Sequence, residues 1–191
     1  EGQSIDIALF DVQAAMLANQ AANYFASGEA PGRLGNAHPN LAPYQPFPCS
    51  DGMVIIAVGN DGQFRALTRA LGDEALGVDA RFATNALRVK HREILITVLS
   101  ALTAPFSMAA MLDLLETAGV PCGQINTIDK VFEEPQARHR GLVVEQTRAD
   151  LDGPVRTVAS PIRLSKTPVR YDAAPPALGQ DTEAVLGALK V

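Results

Sequence analysis

Tryptophan is absent, aromatic residues of all kinds make up 5% of the chain, and only two cysteines and three histidines occur among 191 residues. Each scarcity excludes something. Cys49 and Cys122 stand far apart and form neither a disulfide framework nor a close metal pair. They fit a reducing compartment and read as small buried hydrophobes. His38, His91 and His139 are scattered, and no G-x-S-x-G elbow accompanies them, so no Ser-His-Asp triad assembles. Clustered metal ligands are missing as well. The glycines match neither a P-loop nor a G-x-G-x-x-G fingerprint. No apolar run approaches the roughly 20 residues that span a bilayer, and no signal peptide is visible. The 16 basic residues are scattered against 21 acidic ones, giving a net charge of −5. That balance excludes nucleic acid as a main partner. A cytoplasmic protein with neither nucleic acid nor membrane as partner is expected.

What is present is apolar: 47% of the residues are hydrophobic and 19% charged. This suffices for one ordinary domain or two small lobes, and it excludes disorder of the whole chain. Residues 4–7 alternate as the end of a strand does. Residues 8–26 read as a helix apolar on several sides, hence buried on several sides, that stops at Ser27-Gly28. Phe47 and the run 53–58 flank an Asp51-Gly52 turn and predict a hairpin. Asn60 caps a helix that turns Phe64, Leu67 and Leu71 inward and stops at Gly72. Thr84 caps a longer helix over 85–102, with Leu87, His91, Ile94, Leu95, Val98 and Leu102 as its stripe. Arg88, Lys90, Arg92 and Glu93 fall mostly outside that stripe and read as a solvated face. Ser107 caps a helix with Met108, Met111, Leu112 and Leu115 inward, and Gly119 ends it. A short strand follows within 120–126, then short helices over 127–132 and 135–140. Residues 142–146, 153–158 and 162–164 look extended, and Asp181 caps a last helix over 181–189.

One segment resists a purely structural reading. Residues 32–52, GRLGNAHPNLAPYQPFPCSDG, crowd glycine, proline and asparagine between two apolar segments. Glycine permits close backbone approach, and exposed amides in such a loop cradle anions. Asn36, His38 and Asn40 add side-chain donors. Pro39, Pro43 and Pro46 restrict the loop and lower the entropy lost on ordering. From the residues alone, a linker between lobes and a substrate-holding loop both remain open.

The order of motifs decides in favour of the loop. The opening stretch GQSIDIALFDVQAAMLANQAANYFASGEAPGRLGNAHPNLAPYQPFPCSDGMVIIAVGNDGQFRAL resembles the family III CoA-transferases. The resemblance continues through DARFATNALRVKHREIL, GVPCGQINTIDKVFEEPQARHRGLV and LGQDTEAVL, essentially the whole chain. The form GNAHPNLAPYQPF is most similar to the branch acting on dicarboxylic acyl groups. The resemblance implies an α/β protein, α+β in this portion. It implies large-domain helix and loop over 1–44, a small α+β domain over 45–134, and return segments of an incomplete Rossmann-like large domain over 135–191. It implies an enzyme moving CoA from an acyl-CoA donor to a small carboxylic acid through aspartyl-anhydride and aspartyl-CoA intermediates. No cofactor is permanently bound, and the coenzyme A thioester is a substrate. The family subunits form an interlocked homodimer.

The same resemblance places the nucleophilic aspartate upstream of Glu1, since Asp6 and Asp11 do not match its motif. A chain opening on Glu1-Gly2-Gln3 without methionine also reads as a fragment, one expected to be inactive alone. The family's glycine-containing loop, which shields intermediates from water, corresponds to residues 35–40, although the consecutive glycines of the formyl-CoA branch are missing. The site residues this implies are Arg33, Gly35, Asn36, His38 and Asn40, with Arg33 facing a second carboxylate. An acyl-CoA racemase on the same fold and a non-catalytic partner-binding module remain the alternatives.

Overall fold

The structure is a computed structural model and describes residues 4–189. It divides into two compact units, Glu1–Ile125 and Asn126–Val191. The opening Glu1-Gly2-Gln3 lies outside the described residues.

The first unit begins with α1 (Leu9–Met16) and α2 (Ala18–Ser27), and Gly28 closes α2 in the left-handed region at φ 74°. A six-residue strand, β1 (Tyr44–Cys49), then pairs antiparallel with β2 (Gly52–Ala57). Cys49 lies opposite Gly52, so Ser50 and Asp51 form a two-residue turn. That turn is tied to the start of α7 (Met108–Thr117): the Met108 N–H donates to Asp51 Oδ1 at 2.7 Å, and the Ser50 N–H donates to the Phe106 carbonyl at 2.8 Å. A short β3 (Cys122–Gln124) completes a three-stranded sheet in the order β1-β2-β3. Between β2 and α7 come α3 (Asp61–Ala70), α4 (Glu74–Val78), α5 (Asn85–Lys90) and α6 (Arg92–Thr103).

The core follows the strand period. Val54, Ile56 and Val58 alternate inward and meet Phe47, Phe64, Leu67, Leu95, Leu99, Met111 and Leu115. Each such side chain contributes roughly 1.5–3 kcal/mol of burial. The expected caps are made: Asn60 accepts from the Gln63 N–H, Thr84 from Leu87 and Ser107 from Ala110. Gly72 and Gly119 adopt positive φ where α3 and α7 stop.

The second unit carries α8 (Ile128–Glu133) and α9 (Pro135–His139), with Pro135 starting α9 where its missing N–H costs nothing. A two-stranded antiparallel sheet of β4 (Val143–Gln146) and β5 (Val155–Val158) follows, then α10 (Thr182–Ala188). The mixed α+β character matches expectation. No single helix among the described residues is long and apolar enough to cross a membrane. The apolar pair α6 and α7 is bent by 112°, and both helices contribute to the core.

Several expectations are corrected. Residues 4–7 form no strand. The helix over 8–26 is interrupted at Leu17 and is exposed rather than buried: Leu9 is 88% exposed, Phe10 83% and Phe25 80%. The apolar pattern encodes what the helix would bury, and no described residue covers it. The helix over 85–102 breaks at His91, whose φ of −105° and ψ of 27° are not helical. Its buried stripe runs through Arg88, Leu95, Leu99 and Thr103, so the assignment of Arg88 to a solvated face is wrong. An unpaired guanidinium is almost never buried, but Arg88 finds partners for all three nitrogens. Residues 162–164 pair with no strand, and Asp181 makes no side-chain cap. The short α4, capped by Asp73, is an addition that the apolar period did not announce.

Candidate functional site

The loop between α2 and β1 is fastened by its backbone to one face of α5 and α6. Asn85 and Arg88 of α5 and Arg92 at the start of α6 all reach the loop. Asn85 accepts from the Ala42 N–H at 3.2 Å and donates to the Asn40 carbonyl at 2.8 Å. Arg88, fully buried, donates from Nε to the Ala42 carbonyl at 2.7 Å, from Nη1 to the Phe82 carbonyl at 3.1 Å and from Nη2 to Asp61 Oδ1 at 2.8 Å. Its guanidinium also stacks over the Phe64 ring, 4.6 Å from the centroid. Arg92 Nη2 faces three carbonyls, those of His38 at 2.8 Å, Pro39 at 3.1 Å and Leu41 at 3.3 Å. Partial burial lowers the Arg92 pKa from its ordinary value.

Within the loop, His38 is a bracket. Its Nδ1 accepts from the N–H groups of Asn40 and Leu41, both at 3.1 Å, so Nδ1 carries no proton in this arrangement. The ring stacks on Tyr44 with centroids 5.1 Å apart, and Nε2 lies 3.5 Å from the Asn19 amide. Asn40 forms a reciprocal amide pair with Asn23 of α2, at 3.0 and 3.2 Å. Gly35 sits at φ 58°, a left-handed conformation that disfavours a side chain. Arg33, Gly35 and Asn36 are exposed. Asn36 and Arg92 share the wall of an open cleft of about 740 Å³ with Leu34, Ala37, Pro46 and Ile96.

The proposed site residues thus divide into two kinds. His38 and Asn40 spend side-chain hydrogen bonds on holding the loop, whereas Arg33 and Asn36 present donors to solvent. Sequence reasoning missed Asn85, Arg88 and Arg92. Their spacing was available, but arginines had been assigned to the solvated face. A loop dense in carbonyls beside an arginine-bearing helix face is the signal that identifies them.

Other chemistry is thin. Among the described residues, no group of three or more His, Cys, Asp or Glu side chains is placed to hold a metal ion. Cys49 and Cys122 are free and half-buried. Burial pushes both thiols upward, with Asp51 adding to the shift at Cys49 and Glu116 at Cys122. Such thiols are poor nucleophiles near neutral pH. The Asp79 and Asp150 carboxyls are lowered, chiefly by side-chain hydrogen bonds from Arg81 and Arg148. The arrangement offers cationic and amide donors on a fixed loop, which suits an anionic ligand.

Comparison with known proteins agrees over the whole chain. Residues 1–182 match the family described as CoA-transferase family III. A succinate–glutarate CoA-transferase of Agrobacterium fabrum is 46% identical over 190 residues, covering 100% of this chain and 47% of that protein. A succinyl-CoA:glutarate CoA-transferase of Mus musculus is 37% identical, covering 97% of this chain and 42% of its own length. The chain therefore spans about half the length of these relatives. The crystal structure of a CAIB/BAIF family protein from Brucella suis superposes with a TM-score of 0.80 at 44% identity, covering 99% of this chain and 48% of that one. Rv3272 of Mycobacterium tuberculosis, at 21% identity and a TM-score of 0.76, shares the fold. The chain belongs to CoA-transferase family III.

Proposed function

We propose that the protein carrying this chain transfers CoA from an acyl-CoA donor to a carboxylic acid, both acids being dicarboxylic. The 46% identity along the entire chain to a succinate–glutarate CoA-transferase carries this reading. More distant relatives are named for the acceptors mesaconate, oxalate and D-citramalate, all of which carry two carboxyl groups; the oxalate enzyme is named for acetyl-CoA as donor, so a dicarboxylic donor is inferred from the succinyl-CoA relatives. The loop over 33–40 is assigned as a roof over the reacting thioester. The nucleophilic aspartate is assigned to polypeptide preceding Glu1. The exposed apolar residues of α1 and α2, among them Phe10, Met16 and Phe25, support burial of these helices in an interlocked homodimer.

The chemistry proceeds in balanced steps. The aspartate carboxylate attacks the donor thioester carbonyl, the C–S bond breaks, and a mixed anhydride and CoA thiolate result. The thiolate attacks the aspartyl carbonyl and expels the donor acid as its carboxylate, leaving an aspartyl-CoA thioester. The acceptor carboxylate attacks that thioester and releases CoA thiolate again. The thiolate then attacks the acceptor acyl carbonyl, which yields the new acyl-CoA and free aspartate. Splitting one exchange into acyl transfers of this kind lowers each barrier. Every step builds charge on a carbonyl oxygen, and a preorganised donor aimed there is worth roughly 3–4 kcal/mol. Arg33 and Asn36 are the exposed donors of the roof.

The direct test supplies the protein, at the length of its relatives, with succinyl-CoA and glutarate and follows glutaryl-CoA by mass spectrometry. Glutaryl-CoA with stoichiometric succinate is expected. Exchange of an α-proton in D2O without CoA transfer would mark a racemase instead. Within that assay, alanine at Arg33, Asn36, His38 or Asn40 is expected to lower kcat/KM by about tenfold or more, the scale of one lost charge-assisted hydrogen bond. If all four variants stay within twofold of the parent, the roof assignment fails.

A further inference from the structure

Asn85 and Arg92 devote the side-chain hydrogen bonds seen here to the loop. Arg88 is different: it also ties Phe82 and Asp61 and is a fully buried part of the fold. Asn85 uses both ends of its amide on Asn40 and Ala42. Arg92 places one nitrogen among three carbonyls within four residues, those of His38, Pro39 and Leu41. Its Nη1 is buried and has no hydrogen-bond partner among the described residues. A guanidinium is partly desolvated there while half its fork goes unused. A side chain selected for stability alone would use both nitrogens, since an unsatisfied buried donor is costly. A side chain selected to gather three carbonyls needs only Nη2. Arg92 also lines the cleft beside Asn36, so it joins the loop backbone to the open surface where Asn36 is presented.

From this geometry we infer that Arg92 and Asn85 are positioning residues for CoA transfer: they clamp the backbone of residues 38–42 and so set where Asn36 and Arg33 stand over the reacting carbonyl. The inference rests on the transferase reading of the loop, and it gives Arg92 and Asn85 a role exerted through the loop backbone. A clamped roof keeps water from the anhydride and the aspartyl-CoA thioester. An unclamped roof admits water, and the intermediate is then lost to hydrolysis instead of reaching the acceptor acid.

The test uses the protein at the length of its relatives, with Arg92→Ala, Arg92→Lys and Asn85→Ala, and has two arms. Hydrogen exchange of peptides covering residues 38–42 reads the clamp without reference to activity. The ratio of acyl-CoA transferred to acyl-CoA hydrolysed reads its consequence. For Arg92→Ala, loop exchange is expected to rise about tenfold and the transfer-to-hydrolysis ratio to fall about tenfold, with KM for acyl-CoA changed less than about threefold. Asn85→Ala moves both readouts in the same direction by a smaller factor. Arg92→Lys recovers most of the ratio, because one ammonium can serve the three carbonyls that Nη2 serves. Unchanged loop exchange in both alanine variants overturns the inference. So does faster exchange with an unchanged ratio, or a lysine variant no better than alanine. A parent protein that moves no CoA to any dicarboxylic acid overturns the assigned activity, while the exchange arm still decides the clamp.

Discussion

Replacing Arg88 by alanine is expected to destabilise the first unit by about 4 kcal/mol, the scale found when one partner of a buried charged network is removed. The cost has separable sources. The Ala42 and Phe82 carbonyls lose their donor in the interior, at about 1–3 kcal/mol each. The Phe64 face loses a cation held 4.6 Å from its centroid, and a cavity opens beside it. Asp61 contributes little to this sum, because its side chain is 42% exposed and water can replace Arg88 there. Asp61→Asn is therefore expected to cost less than about 1 kcal/mol. Lysine at position 88 is expected to recover less than half of the loss, since an ammonium cannot reproduce a three-way fork. Urea unfolding followed by circular dichroism measures all three. An Arg88→Ala cost below about 1 kcal/mol, at an unchanged denaturant slope, would remove Arg88 from the list of groups that hold the loop to the helix face.

The second large effect concerns activity. These 191 residues, purified alone, are expected to turn over succinyl-CoA with glutarate at least roughly 10⁴-fold more slowly than the protein at the length of its relatives, the scale of a lost nucleophile. In the function proposed above, the attacking carboxylate lies before Glu1. The two thiols of this chain are held up by burial, and no metal cluster is present among the described residues. The carboxylates with perturbed titration are lowered, by hydrogen bonds that pin them in surface positions. In the role proposed for them, Arg33 and Asn36 would stabilise developing charge, and neither side chain can attack a thioester. The comparison is made at equal protein concentration with product quantified by mass spectrometry.

The hairpin and helices that build the core of the first unit were legible because their local signals agree with their packing. Asn60, Thr84 and Ser107 cap where their side chains accept, and Val54, Ile56 and Val58 alternate as the sheet requires. The loop stood out for its glycines and prolines, and resemblance supplied its assignment. What escaped was whatever depended on distant partners. Arg88 is buried only because Ala42, Phe82 and Asp61 converge on it, and hydropathy assigns an arginine to water. The break at His91 shifts the inward stripe, so a stripe drawn for an unbroken helix included Ile94, which is 48% exposed. The first helices failed in the opposite sense. Their apolar surface was legible, but burial depends on a covering surface, and periodicity within the helix says nothing about where that surface comes from. That the His38 Nδ1 accepts from the two amides that close its own turn was likewise not legible in the sequence.

The most direct measurement maps the covalent intermediate. The protein at the length of its relatives is incubated with succinyl-CoA and no acceptor, the acyl-enzyme is trapped with hydroxylamine, and the modified peptide is identified by mass spectrometry. A hydroxamate is expected on one aspartate in a peptide preceding Glu1, with residues 1–191 unmodified. A hydroxamate on any carboxylate between Glu1 and Val191 would contradict this expectation, because the reacting group would then belong to the part of the enzyme assigned here as roof and scaffold.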